Sequence, residues 1–494
     1  MDRRQFLAAP ALLQTRAAAS KPNILFLMAD QHRGDCLRAG GNSAIDTPNL
    51  DRIAREGVRF RNAYSSTPTC TPARACLLTG LSPWNHGMLA YGRVANKYPY
   101  EMPRALRDAG YYTYAIGKLH YSPQRNLHGF HGALLDESSR SESIDFRSDY
   151  RSWFYSEAPN LDPDATGVGF NDYNGAAYVL PERMHPTAWT GRAAVSFIEN
   201  YKKPEPFFLK VSFARPHSPY DPPQRLFDRY LQRKLPAASV GGWASRFEKR
   251  EGPGNAIWYG RMPEAEIRNS RAAYYGSISF IDEQIGQMIG SLEKRGMLEN
   301  TLIVYTSDHG DMMGDHHHWR KSYAYEGSAH VPMLMRWPNG LVSSKHGQVL
   351  DQPVELRDIF ATFLDAAGTS PARPIDGRSM LELARGRTEG WREFIDLEHG
   401  LCYEKSNQWT ALTDGKWKYI YKAFEGEEQL FDLTRDRAEL TNLAGDAAAS
   451  ATLRSWRQRM ITHLAQRGER WVAGGNLARR EAMIQYSPLY PAKP

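Results

Sequence analysis

Continuous apolar runs that stop abruptly at polar residues punctuate the first two thirds of the chain. Asn23-Ile24-Leu25-Phe26-Leu27-Met28 stops at Ala29-Asp30-Gln31, and Tyr112-Thr113-Tyr114-Ala115-Ile116 stops at Gly117-Lys118-Leu119-His120. Phe207-Phe208-Leu209-Lys210-Val211-Ser212-Phe213 stops near Arg215-Pro216-His217, and Leu302-Ile303-Val304-Tyr305-Thr306 at Ser307-Asp308-His309-Gly310. Such runs read as strands buried on both faces. Helical patterns lie between them. The clearest follows Pro263 and carries Ile267, Tyr274, Tyr275, Ile278, Ile281, Ile285, Met288, Ile289 and Leu292. Those steps, mostly of three and four residues, make one apolar stripe, and Gly296 suits its C-terminal cap. Strands alternating with helices predict an α/β fold with a mostly parallel sheet.

Ligands of such sheets bind outside the carboxyl ends of the strands. Here four strand ends carry Asp30 and Gln31, Lys118 and His120, His217, and Asp308 and His309. Together they predict one shared site.

The pattern changes past Gly368 to Gly386, a stretch that Pro371, Pro374 and Gly377 also interrupt. Trp409 to Leu412 and Lys416 to Tyr421 read as a β-hairpin around Asp414-Gly415. Gln429 to Leu433 reads as another strand, and Leu453 to Leu464 as an amphipathic helix. Residues 125–180 and 236–262 are long, weakly periodic and rich in Gly, Pro, Arg and aromatics; such insertions often shape a substrate pocket.

A chain of 494 residues exceeds what one core fills, since a core stops growing near ~250–300 residues. Its 41% hydrophobic and 24% charged residues are ordinary for a soluble globular enzyme. The net charge of +7 is mild and the arginines are scattered, which argues against nucleic acid as a partner. Arg3-Arg4-Gln5-Phe6-Leu7 resembles a twin-arginine export motif. The short apolar run Leu7 to Leu13 follows it, then Ala17-Ala18-Ala19 for cleavage. That run is too short to span a bilayer, which takes ~20 apolar residues, and no later segment is long enough. The expectation is an exported bacterial protein, periplasmic or secreted. Four cysteines, Cys36, Cys70, Cys76 and Cys402, are too few for a disulfide scaffold.

The residues at the strand ends have a chemistry of their own. Asp30, Gln31, Asp308 and His309 offer three oxygen donors and one nitrogen, and oxygen-rich sets suit hard cations such as Ca²⁺ or Mg²⁺. A helix beginning near Pro72 would put Cys70 and Arg74 at its N-terminus, an end that favours an anion. Lys118 and Lys321 add positive charge, and His120 and His217 can move protons near neutral pH.

Cys70-Thr71-Pro72-Ala73-Arg74, followed by Leu77-Leu78-Thr79-Gly80, matches the signature C-x-P-x-R-x-x-L-L-T-G. On it the chain resembles the type I, formylglycine-dependent sulfatases of the alkaline phosphatase-like superfamily. Gly110 to His120 is close to the family's second signature, with Leu119 where an aromatic is usual. Ser307-Asp308-His309-Gly310, Trp319-Arg320-Lys321 and His330-Val331-Pro332 resemble its later motifs. Leu430-Phe431-Asp432-Leu433, Glu439 and Asn442-Leu443 resemble its C-terminal subdomain. The likeness covers roughly residues 21–445. It implies an alkaline phosphatase-like α/β sandwich with a small C-terminal α+β subdomain. The expected division is an export signal at 1–20, a catalytic domain at 21–375 and a subdomain at 376–494.

The resemblance also implies roles. Cys70, converted to formylglycine by a formylglycine-generating enzyme, attacks sulfur as the aldehyde hydrate; sulfate then leaves as the aldehyde re-forms. Arg74 holds the hydrate, Lys118 and Lys321 bind sulfate oxygens, and His120 assists the hydrate's collapse. His217, with Lys321, protonates the leaving oxygen. Asp30, Gln31, residue 70, Asp308 and His309 bind the metal. Gln31 stands where many relatives have a second acid, and His309 where asparagine is frequent. The expected order is therefore Ca²⁺ first, then Mn²⁺ or Mg²⁺.

The expected reaction is hydrolysis of a sulfate ester. The alternatives are a phosphonate or phosphate ester hydrolase of the same superfamily and an inactive sulfoglycan-binding protein, against which the complete set of residues argues. Trp153, Phe154, Tyr155, Tyr173, Tyr178 and Trp189, with Arg147, Arg151 and Arg183, suggest a sulfated sugar as substrate. His316-His317-His318 reads as a loop at the mouth of the site, and Cys76 as core. The sequence leaves oligomeric state and exo or endo action open.

Overall fold

The computed structural model describes residues 21–491 except positions 139 and 402. The expected export segment and Cys402 lie outside the described residues.

The strands are β1 (Asn23–Asp30), β2 (Val58–Phe60), β3 (Ala63–Tyr64), β4 (Tyr112–Gly117), β5 (Gly132–Leu135), β6 (Phe207–Pro216) and β7 (Thr301–Ser307). Then follow β8 (Met333–Arg336), β9 (Gln348–Leu350), β10 (Val354–Glu355), β11 (Ile395–His399), β12 (Trp409–Thr413), β13 (Trp417–Lys422) and β14 (Glu427–Asp432). Eight of them form one sheet in the order β5-β4-β6-β1-β7-β8-β2-β9. From β5 to β7 every pairing is parallel; β8 runs antiparallel to β7 and to β2.

All eight residues of β1 are buried, because helices cover both faces of the sheet. Its alternate side chains feed two cores, as a side-chain period of two requires. Ile24, Phe26 and Met28 pack with Ala73, Leu77, Phe360 and Phe363 on one face. Leu25, Leu27 and Ala29 pack with Ile198, Ile281, Ile285 and Met288 on the other. The apolar stripe read after Pro263 is the helix Glu264–Lys294. Gly296 beyond it has φ +63°, the left-handed conformation that ends a helix without a Cβ clash.

β11 to β14 make an antiparallel sheet in sequence order. The expected hairpin is β12–β13, with Gly415 at φ +82° in its turn and the Asp414 carboxylate accepting from the amides of Lys416 and Trp417. One face of this sheet packs on the helix Ser450–Ala465 through Leu453, Trp456, Met460 and Leu464. The other face packs on Tyr64, Tyr323 and Tyr325 of the larger unit. The helix Met380–Ala384, beyond the expected division at 375/376, buries Met380, Leu381 and Leu383 in a core of the large sheet.

Candidate active site

β4, β6, β1 and β7 are consecutive in the sheet, so the four polar strand ends are neighbours. The His217 amide donates to the Asp30 carbonyl at 3.1 Å, and the Lys118 amide to Ser212 O at 2.7 Å. Gln31 takes φ +73°, and its amide donates to Asp308 Oδ1 at 3.1 Å. His120 takes φ +59°; its amide and that of Leu119 donate to Glu137 Oε1.

Cys70 opens the helix Cys70–Thr79, every residue of which is buried. Its Sγ lies 3.1 Å from His309 Nε2 and 3.8 Å from Asp30 Oδ1. Donor atoms of Asp30, Cys70, Asp308 and His309 all lie within 4.8 Å of one another. Arg74, one turn into the helix, is fully buried and braces the two acids. Its Nη2 donates to Asp30 Oδ2 at 2.9 Å and its Nε to Asp308 Oδ2 at 3.0 Å. Nη1 donates to the Lys118 carbonyl at 2.5 Å and to Ser212 Oγ at 3.2 Å. The Lys118 ammonium lies 2.7 Å from Asp30 Oδ2 as an ion pair, without hydrogen-bond alignment. Arginine and lysine thus take the outer Oδ2 atoms and leave the inner Oδ1 atoms toward Cys70 and His309.

These charges set the ionisation. Burial alone would raise the Asp30 carboxyl, but Lys118 and Arg74 hold it well below the usual carboxylate range. Burial and Asp30 push the Cys70 thiol up; Lys321, His309 and Lys118 outweigh them and lower it. His309 Nδ1 bonds the Gly310 carbonyl at 2.8 Å, so it carries the proton and the Nε2 lone pair faces the cluster.

This donor set fits a divalent cation: two carboxylate oxygens and one imidazole nitrogen, turned inward and fixed from behind. The nitrogen departs from the all-oxygen sets usual for Ca²⁺ and Mg²⁺. The Gln31 amide is held beside the cluster. Its Oε1 accepts from Lys321 Nζ at 2.7 Å, and its Nε2 donates to Asp311 Oδ2. Asp311 also accepts from Tyr220 OH at 2.5 Å and from the amides of Met313 and Arg320. Asp311 is a positioning residue that the sequence reading passed over, although it lies next to Gly310 in the same strand-end motif.

Lys321 Nζ also donates to His217 Nε2 at 2.6 Å, while His217 Nδ1 bonds the Ser218 carbonyl at 2.7 Å. Burial, then Lys321 and Lys118, keep the His217 imidazole neutral far below its ordinary range. Burial likewise lowers the Lys321 ammonium from 10.5, against the pull of Cys70 and Asp30. Phe170 stacks on the His217 ring at 4.4 Å. His120 faces away from this pair. Its Nδ1 meets Arg140 Nη1 at 3.2 Å, and its buried Nε2 has no partner among the described residues. Burial, Arg140 and Lys118 depress its pKa well below 6.5.

Cys70, His217 and Lys321 line one cavity of about 810 Å³, together with Thr69, Tyr91, Arg140, Phe170, Asn171, Arg320, His399, Tyr403 and Gln485. His120 lines a neighbouring cavity of about 480 Å³ that shares Tyr91, Arg140 and Gln485. The C-terminal unit contributes directly: His399 Nε2, on β11, bonds Thr69 Oγ1 at 2.8 Å just before the Cys70 helix. No local pattern marks His399, which lies 330 positions from Thr69.

Three sequence expectations need correction. The aromatics proposed to stack on sugar rings are core: Phe154, Tyr178 and Trp189 form a buried cluster with Tyr150 and Met184, against which Trp153 and Tyr155 pack. Tyr173 is buried with Ile257, Met262 and Trp319. Large rings bury more area against one another than against a solvated groove. Their arginines are engaged nearby, Arg151 with Asp164, Arg183 with Glu157 and Arg147 over Tyr155. His316 and His318 do not line the Cys70 cavity; they pack against Trp243, Phe247, Tyr323 and Tyr325. Of the two insertions, 125–180 reaches the cavity through Arg140, Phe170 and Asn171, whereas 236–262 backs it, with Trp258 stacked on Tyr403 at 5.6 Å. The buried Cys76 is core, as expected.

Comparison with known proteins gives a consistent result. Residues 22–369 match the sulfatase family model, and residues 314–466 match the C-terminal model of N-sulphoglucosamine sulphohydrolase. An arylsulfatase of Clostridium perfringens is 40% identical over 471 residues, covering 92% of this chain and 97% of its own length. A choline-sulfatase of Rhizobium meliloti is 31% identical, covering 90% and 87%. Among solved structures, the phosphonate monoester hydrolase of Agrobacterium radiobacter aligns with a TM-score of 0.76 at 27% identity, covering 90% of this chain and 96% of that one.

Proposed function

The chain belongs to the sulfatase family of sulfuric ester hydrolases, and on that premise we propose how its residues divide the hydrolysis of a sulfate ester. Residue 70 is the nucleophile, as formylglycine hydrate. The observation that carries this is the placement of Cys70: first residue of a buried helix, 3.1 Å from His309 Nε2, on the wall of the cavity shared with His217 and Lys321. The helix N-terminus favours the sulfate anion there.

Asp30, Gln31, residue 70, Asp308 and His309 would hold a divalent cation, Ca²⁺ first and Mn²⁺ or Mg²⁺ next. When bound, it draws a sulfate oxygen and polarises the nucleophile. Gln31 Oε1 keeps a second lone pair for this after accepting from Lys321. Arg74 acts through the carboxylates it braces. Lys118 and Lys321 meet the sulfate oxygens.

The leaving oxygen needs a proton. A neutral His217 has none to give from Nε2, which accepts from Lys321. The Lys321 ammonium, made more acidic by burial, is the source, directly or by way of the His217 ring. His120 Nδ1 accepts from Arg140, so its Nε2 carries the proton and assists the hydrate as a hydrogen-bond donor.

The substrate is a sulfated small molecule or the end of a glycan, to judge from a cavity of about 810 Å³, within the range of ~300–1,000 Å³ typical of small-molecule sites. No helix among the described residues is long and apolar enough to cross a membrane. The twin-arginine-like motif supports export to the periplasm or beyond, and the signature around Cys70 supports maturation by a formylglycine-generating enzyme.

Mass spectrometry of the tryptic peptide Asn62–Arg74 tests the proposal. Aldehyde at position 70 supports it. Plain thiol in fully active protein refutes it.

A further inference from the structure

The cavity that holds Cys70 carries more positive charge than one sulfate ester needs. Its fifteen lining residues include Arg140, Arg320 and Lys321 and not one Asp or Glu. Asp30 and Asp308 lie beneath the floor and already face Arg74, Lys118 and His309, and Glu142, on the neighbouring cavity, accepts from the Gln124 amide. Lys321 belongs to the reaction, through Gln31 and His217. Arg140 and Arg320 do not.

Both arginines are half-buried, and neither is paired with a carboxylate among the described residues. Arg140 is held by Tyr91 OH at 2.8 Å and by the His120 ring. Its guanidinium lies 6.0 Å from the centroid of Phe170, the ring that stacks on His217. It therefore stands one aromatic ring away from the imidazole at the leaving oxygen. Arg320 lies over Tyr403 at 4.7 Å; among the described residues its side chain makes one long bond, 3.3 Å to the Ala256 carbonyl, and its buried Nε has no partner. Other half-buried arginines, such as Arg151 with Asp164 and Arg457 with Glu428, are paired with acids. A guanidinium held flat on an aromatic ring with donors to spare, in a pocket without acids, matches an oxyanion in geometry and charge.

We propose that the alcohol released by this enzyme is itself anionic, its carboxylate or second sulfate bound by Arg140 and Arg320. The inference rests on the sulfatase reading and narrows it to dianionic substrates. It also sets the site against a cationic alcohol such as choline, which would meet two like charges.

The test compares 4-carboxyphenyl sulfate with 4-carbamoylphenyl sulfate, which has nearly the same shape, no second charge and the better leaving group. The full-length enzyme is expected to favour the carboxylate in kcat/KM on the order of tenfold or more, as for a charge-assisted hydrogen bond. In the double variant Arg140→Gln, Arg320→Gln the ratio should fall toward one, whatever common factor the change puts on both substrates. Competitive inhibition by 4-hydroxybenzoate, tenfold or more weaker in the variant, gives a reading that does not need turnover. 4-Sulfonatophenyl sulfate, run in parallel, separates a sulfated from a carboxylated partner by which shows the larger arginine dependence. Equal rates on the two esters in the unmodified enzyme, a ratio unchanged in the variant, or preference for choline sulfate would overturn this inference alone. Failure to turn over any sulfate ester would overturn the parent reading and this one with it.

Discussion

Lys321 Nζ lies 2.6 Å from His217 Nε2, with the ammonium donating and the imidazole accepting. On the proposed reading, the proton that the leaving alcohol needs is stored on the lysine, with the histidine as relay. Replacing His217 by Ala should slow poor leaving groups, such as alkyl sulfates, by about 10²–10⁴-fold, the usual weight of acid catalysis. An activated nitrophenyl sulfate should lose far less. A leaving-group series on both proteins reads this as a steeper dependence in the variant; a uniform loss would assign His217 to binding.

The same pair sets the alkaline limb of the pH profile. Burial lowers the Lys321 pKa from 10.5, and the proposed role needs the charged form. Activity should hold below that lowered pKa and fall as pH rises through it. Lys321→Arg, charged at every accessible pH, should lose much of the rate and the alkaline limb with it. A limb that persists unmoved would point to another group.

Chelation should abolish turnover, and re-addition of Ca²⁺, Mn²⁺ or Mg²⁺ one at a time should restore it to different degrees. Asp311→Asn weakens the anchor of the Gln31 amide and should raise the metal concentration for half-activation by about 10–100-fold, the effect of losing an outer partner of a ligand. Metal titration followed by activity and by a shift in melting temperature checks it. Unchanged metal dependence would remove Gln31 from the site.

Phenyl sulfate should be hydrolysed with a higher kcat/KM than phenyl phosphonate monoester under the same conditions. Tetrahedral oxyanions of similar size meet the same lysines, so the second substrate should also turn over slowly. Reversal of the order would move the chain to the phosphonate side of its superfamily.

Lys418 bridges Glu326 and Glu439 at 2.8 Å each, buried between the two units. Lys418→Met leaves the buried Glu439 carboxylate without its cation, while Glu326 keeps Arg437 at 3.0 Å, and should cost ~3–5 kcal/mol in denaturant unfolding. Burial raises Glu439 to about 7. A raised carboxyl favours the folded state below its ordinary 4.5 and loses that contribution as pH climbs through 7. The deficit of the variant should therefore be smaller at pH 5 than at pH 8.

Much of the scaffold is legible locally. A strand buried on both faces must be apolar throughout and must end where the chain meets solvent or ligand, so β1, β4, β6 and β7 and their polar ends can be read off the chain. The surroundings of Arg74 cannot. Its side chain reaches Asp308, 234 positions away, and no local signal says that its donors go to carboxylates and not to residue 70.

Short-range periodicity, turn chemistry and motif spacing are enough to fix the alternation of strands and helices, the hairpin at Asp414-Gly415, and the residue types that meet at the strand ends. Which arginines and aromatics face the cavity is settled by packing alone. Trp153 and Arg140 come from the same insertion and look equally suited to a ligand; burial against Tyr150 and Trp189 takes the surroundings of the first, while a gap in acids leaves the second open. That choice depends on packing between segments remote in the chain, and composition carries no record of it.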